Sequence, residues 1–240
     1  MEELQPPEET TSGKLYNLLK GTIGVIPYAG SIASEVFGIF VASPIDKRRQ
    51  KWAELVVSKL KELEETKTGF TIDDLKENEE FISFLMEASE IALKSHQTEK
   101  INALRNSIGN YFKNDSLDFD KKISFLKVIE QITPTHLKIL LFISKNEELL
   151  GKERNREGED DEKIQIKGYE DLYQLFQNEN ISMDKYHFRK CIIDLENHSL
   201  VRVSKDFRDF ISGGGYATDT GAPQVKILDF GLEFIEFIST

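Results

Sequence analysis

The sequence predicts a mainly α protein in two parts, an N-terminal helical bundle followed by an α+β module. Three observations carry that fold class. Between Trp52 and Ile132 apolar residues recur at spacings of three and four, the period of amphipathic helices. Further on, the period falls to two at Leu200–Ser204 and again at Gln224–Leu228, as in half-buried strands. Between the two regions, residues 151–163 contain no apolar side chain, which predicts a flexible loop.

Taken in order, residues 1–13 are acidic and proline-bearing and predict a disordered tail. The bundle then spans residues 14–132. A short amphipathic helix is expected at Lys14–Lys20, leading into the apolar segment 21–45. After Pro44, Asp46 is placed to N-cap a helix that runs to about Thr66 and buries Trp52, Leu55, Val56, Leu60 and Leu63. Thr68–Thr71 breaks it, and Asp73–Lys76 forms a short helical turn. From Glu79 the stripe Phe81, Phe84, Leu85, Ala88, Ile91, Ala92 predicts the next helix. Another follows over Thr98–Phe112, where Asn106 and Asn110 sit beside the apolar face as buried hydrogen-bonding residues. A last bundle helix spans Asp118–Ile132.

The module spans residues 133–240. Thr133-Pro134 is a helix start, with threonine as cap and proline in the first turn. A short strand is expected at Ile164–Ile166, then a helix over Tyr169–Gln177. A turn capped by Ser182 leads to a helix over Met183–Asn197 that buries Phe188, Cys191, Ile192 and Leu195. Two strands around a glycine-rich tip (Gly213–Gly215) make a hairpin, and an apolar helix over Gly231–Ile238 ends the chain. Three helices, a long-tipped hairpin and a closing helix are the order of a winged helix-turn-helix module.

The segment 21–45 holds one charge, Glu35, in a chain that is 30% charged. Gly30, Ser34, Gly38 and Ala42 recur every fourth position and form one bulk-free ridge on a helix, where another backbone can approach closely. Pro27 and Pro44 bracket 16 residues of unbroken helix, short for a membrane span, and a lone carboxylate is costly in lipid. Three states fit: a buried packing element, a conditional membrane-associating segment, or a self-association surface. In the second, Arg48 and Arg49 of the following basic cluster face anionic headgroups.

Composition narrows the function classes. Lys and Arg number 31 against 42 Asp and Glu, a net charge of −11, and residues 133–240 alone carry −6. Neither half is a basic domain, which disfavours broad nonspecific binding to nucleic acid or anionic membranes. A single cysteine excludes a disulfide framework and any multi-cysteine metal site. The N-terminus has no basic region of the secretory type, so a cytoplasmic setting is expected, with peripheral membrane association in the second state. The four histidines are scattered, the glycine-rich tip lacks the Lys-Ser/Thr ending of a phosphate loop, and no Gly-x-Ser-x-Gly occurs. No enzymatic activity, metal or cofactor is expected. On the helix from Met183, Lys185 and Arg189 share a face near Tyr186, His187 and Lys190, a surface suited to DNA. Asp184, Asp194 and Glu196 on the same helix count against it.

A set of packing motifs adds a family likeness. Ile26-Pro27-x-x-Gly30 leads into Arg48-Arg49-x-x-Trp52, then Glu79-Glu80-Phe81 and Glu87-Ala88-Ser89. Ala103-Leu104-x-Asn106-x-Ile108-x-Asn110, Phe125-Leu126 and Thr133-Pro134-x-His136-Leu137-x-Ile139-Leu140 follow. This order, over residues 20 to 142, resembles bacterial proteins of the Abi-alpha (abortive-infection-associated) type. The resemblance implies a part in limiting phage infection, through harm to the host membrane, and supplies no catalytic residues. The chain departs from that type in its weaker apolar segment, interrupted by Glu35. The expected function is a non-enzymatic defence or stress effector with a winged-helix sensor or partner-binding module. The alternative is a winged-helix DNA-binding regulator. Expected partners are a second copy, an anionic membrane surface or a protein, with DNA only in the alternative.

Overall fold

The computed structural model describes residues 35–67, 71–113, 117–146, 169–179, 182–203 and 225–239. The expected tail, the helix at Lys14–Lys20, the loop 151–163, the strand at Ile164–Ile166 and the glycine-rich tip lie outside these residues. Among the described residues the protein is mainly helical, with eight α-helices and one two-stranded sheet. The chain divides into two compact units. The first is Met1–Glu130 together with Phe237–Thr240, and the second is Gln131–Glu236.

In the first unit, α1 (Glu35–Thr66) is followed by a 3-10 turn (Ile72–Glu77), α2 (Glu79–Lys94), α3 (Thr98–Asn110) and α4 (Phe119–Gln131). The first helix corrects an expectation: Asp46 does not cap it, because α1 runs from Glu35 straight through Pro44. Proline removes one backbone donor and crowds the preceding turn. Here the helix accommodates that loss, and Asp46 instead pairs with Arg49 three residues on, at 3.2 Å.

Packing in this unit follows the predicted stripes. Trp52, Val56 and Leu60 of α1 are buried where it meets α2 and α3. The indole N–H of Trp52 donates to Ser89 Oγ at 2.8 Å, and Ser89 Oγ–H donates to the Leu85 carbonyl at 2.6 Å. A buried indole N–H is thereby satisfied, as the dry core requires. Phe81, Phe84 and Tyr111 stack edge-on or tilted with centroids 4.9–5.2 Å apart. Asn78 caps α2 by accepting the Phe81 N–H at 2.9 Å. The two asparagines of α3 do what their placement predicts. The Asn110 amide donates to the carbonyls of Phe237 (3.0 Å) and Ser239 (2.7 Å), and that of Asn106 to Ile238 (3.0 Å). Those are orphan carbonyls at the end of the last helix. Phe237 fills the same core against Phe125, centroids 5.3 Å apart.

In the second unit, α5 (Pro134–Lys145), α6 (Tyr169–Asn178) and α7 (Lys185–Asn197) precede β1 (Val201–Val203), β2 (Val225–Ile227) and the greater part of α8 (Asp229–Ile238). An aromatic chain Phe142–Phe176–Phe188 joins the three helices, with centroids 5.3 and 4.9 Å apart. The cap of α7 differs from the expected Ser182: Asp184 is the cap, its carboxylate accepting the His187 N–H at 2.9 Å. Asp184 is exposed at the start of α7, and its carboxylate serves the helix's own N-terminus.

At its other end α7 closes in a Schellman motif. Leu200 N–H donates to the Leu195 carbonyl at 3.0 Å and Ser199 N–H to that of Glu196 at 2.8 Å. Ser199 adopts the left-handed conformation this motif needs, φ 58°. The strands pair antiparallel with Val201 opposite Ile227, Arg202 opposite Lys226 and Val203 opposite Val225. The four apolar side chains face inward and both cations outward.

Candidate interaction sites

Of the ridge on the apolar segment, Gly30 and Ser34 lie outside the described residues. Glu35, Gly38 and Ala42 lie on the helical backbone of α1, so the three share one helix with Trp52. The two arginines of the basic cluster are engaged within the first unit. Arg48 Nη1 donates to the Leu93 carbonyl in the last turn of α2 at 3.1 Å, where the helix leaves acceptors free and carries partial negative charge. Arg49 holds Asp46. No described helix is long and apolar enough to cross a membrane.

On α7 the candidate DNA-facing residues fall into three environments. Tyr186 is 80% exposed and His187 is exposed beside it. Lys185 and Arg189 are half-buried. Lys190 is engaged by Asp194, four residues on, through an ion pair and hydrogen bond. Burial works to raise the Asp194 carboxyl, but Lys190 and His136 together hold it below the ordinary aspartate value. The free cationic face expected of this helix is thus smaller than the spacing of Lys185, Arg189 and Lys190 suggests. Cys191 is buried on the opposite side, and burial pushes its thiol up to about 11, which leaves it inert as a nucleophile.

Two features were not singled out in the sequence. The first is the outward pair Arg202–Lys226. Each sits at the exposed position of a Val-x-Val or Val-x-Ile triplet, but only the register places them opposite one another. Like charges directly across a strand pair repel one another.

The second feature is a polar contact chain at the start of α5. Thr133 and His136 form a capping-box arrangement in which Thr133 N–H donates to His136 Nδ1 at 3.1 Å, with the Thr133 hydroxyl 2.7 Å from the same nitrogen. On its other side His136 Nε2 lies 3.3 Å from Asp194 Oδ2. Hydroxyl, imidazole and carboxylate in line are also the parts of a hydrolytic triad. Here the hydroxyl and Nδ1 are occupied at the helix cap, and the imidazole is buried, which is the work of a structural staple. Threonine before proline with a polar residue three places on signalled the cap; the partner 58 residues away had no local signal.

Among the described residues, no group of three or more histidine, cysteine or acidic side chains is placed to hold a metal ion. No protein-family model matches the chain, and neither a curated protein nor a solved structure matches it.

Proposed function

We propose that this chain is a non-enzymatic bacterial defence or stress effector. Its second unit serves as a winged-helix sensor or partner-binding module, and the apolar segment 21–45 is the output part. The observation that supports this best is the unbroken helix Glu35–Thr66. The ridge positions Gly38 and Ala42 share one helix with the core residues Trp52, Val56 and Leu60. Whatever engages the ridge is therefore coupled mechanically to the bundle. The likeness to the Abi-alpha type supplies the setting, and the ridge itself supplies the chemistry of close helix approach. The internal use of Arg48 and Arg49 favours self-association over headgroup binding as the output contact. Leucine at position 38 would put bulk on the ridge. Gly38→Leu is expected to abolish toxicity on overexpression while the second unit keeps its fold by circular dichroism; undiminished toxicity would reject the output role.

A second reading is favoured by one observation, the Arg202–Lys226 pair. In it the second unit is a winged-helix DNA binder, with the first turn of α7 towards a groove and the two hairpin cations on phosphates. It predicts measurable binding of a random-sequence duplex at low salt by fluorescence anisotropy. Arg202→Ala/Lys226→Ala should then weaken binding and reduce the salt slope by about 2, one per lost phosphate contact. Absence of binding at low salt, or an unchanged slope in the double variant, would dismiss DNA as the partner.

A further inference from the structure

We propose that His136 is a proton-operated staple in the second unit, and that proton uptake at its Nδ1 releases the Thr133 amide at the start of α5 while the ring stays held by Asp194. The geometry assigns the protonation pattern. Thr133 N–H is a donor with no alternative role, so the nitrogen it meets at 3.1 Å must present a lone pair. The neutral ring then carries its hydrogen on Nε2, where the Asp194 carboxylate accepts it at 3.3 Å. One imidazole thus accepts at the N-terminus of α5 and donates to the last turn of α7, two helices that pack against each other.

Adding a proton also acts on a third contact, because the Thr133 hydroxyl oxygen lies 2.7 Å from Nδ1. Nδ1 becomes a donor facing the Thr133 N–H donor, so that hydrogen bond is lost, and the new Nδ1–H takes the Thr133 hydroxyl oxygen as its acceptor. The Nε2–H contact to the Asp194 carboxylate becomes an ion pair and tightens. The ring therefore remains anchored on α7 while the Thr133 N–H at the start of α5 loses its acceptor.

The charged groups around the ring agree with this pattern. Burial lowers the imidazole's proton affinity, Asp194 opposes that, and His187 and His198 of the same second unit lower it further. Lys190 acts through Asp194, which it also holds. Lys226 of β2, which packs on α5, and Lys138 of α5 itself face solvent. The sign follows. The folded ring binds its proton less readily than an unfolded histidine, so stability is complete above the ordinary histidine pKa near 6.5. It declines as the pH falls through that value towards the lower folded one, and then levels.

The test is pH-resolved NMR of the full chain, reading His136 ring nitrogens and backbone amide exchange corrected for intrinsic rates. At pH near 7.5 the expected spectrum shows an unprotonated Nδ1 and a protonated Nε2. On acidification, Thr133 N–H should lose protection by up to about tenfold, the equivalent of one net hydrogen bond. Leu137 N–H, bonded to the Thr133 carbonyl, should change less. Asp194→Asn should move the His136 midpoint to lower pH, and His136→Gln, which keeps an acceptor, should leave Thr133 protection independent of pH. A hydrogen on Nδ1 at neutral pH would overturn the proposal. So would a Thr133 amide whose protection does not follow the His136 midpoint.

Discussion

Gly231→Ala is expected to be the most damaging conservative change in the second unit, costing about 3 kcal/mol, at the upper end of overpacking effects. A methyl group at position 231 would overlap the Leu200 carbonyl oxygen and stand 2.9 Å from its carbon and 3.0 Å from Ile227 Cγ2. The obstacle is backbone, and it is backbone with duties. The Leu200 carbonyl accepts the Leu228 N–H at 3.1 Å, and the Leu200 N–H closes the end of α7. Moving it disturbs both the strand pair and the helix terminus. Gly109→Ala provides the contrast. There the added methyl meets the distal carbons of Lys59, a side chain that can swing aside, so about 1 kcal/mol is expected. Urea unfolding followed by circular dichroism ranks the two. Equal costs would mean that the close approach of α8 to Leu200 is not maintained in solution.

Trp52→Ala should destabilise the first unit by about 3–5 kcal/mol, the range for removing a buried aromatic side chain. Trp52 is 2% exposed and is the chain's one tryptophan, so the native protein also reports its own unfolding by fluorescence. Its polar end is separable from its bulk. Ser89→Ala keeps the packing but leaves the indole N–H without its acceptor at 2.8 Å, a cost of about 1–3 kcal/mol. Trp52→Phe removes the donor instead and leaves Ser89 bonded to Leu85, so it should cost less from the hydrogen bond than Ser89→Ala does. A double-mutant cycle on the pair measures the coupling directly. Additive effects would show that the bond contributes nothing.

Which features were legible in the sequence follows from the range of the interactions involved. The stripes Phe81–Phe84–Ala88 and Phe188–Cys191–Ile192–Leu195 place whole helices, because burial imposes a period that any window of the chain displays. The Thr133-Pro134 start was legible for the same reason: the cap and the residue it bonds are three positions apart. Two local signals misled. Pro44 argued for a helix boundary and the helix continues through it, since proline only weights against helix interior positions. Ser182 and Asp184 are both good caps two residues apart, and the one that wins is set by where α7 packs.

The candidate sites were less legible than the fold. Lys190 looked like a free cation and is held by Asp194, one helical turn away on its own helix. Arg202 and Lys226 lie on separate strands, and only the strand register brings them opposite each other. The His136–Asp194 and Asn110–Phe237 contacts span 58 and 127 residues, and no local pattern encodes such pairings. The ridge at Gly38 and Ala42 is the reverse case: its spacing is plain in the sequence and its backbone is helical, but what it touches is a question of association.

That question has a direct measurement. Sedimentation of the full-length protein, with and without liposomes of anionic lipid, would be compared with a variant lacking Gly21–Ile45. The effector proposal predicts that the full chain forms larger species or co-sediments with the liposomes and that the deletion abolishes both. Full-length protein that remains a monomer under both conditions would contradict it and return the apolar segment to a purely structural role.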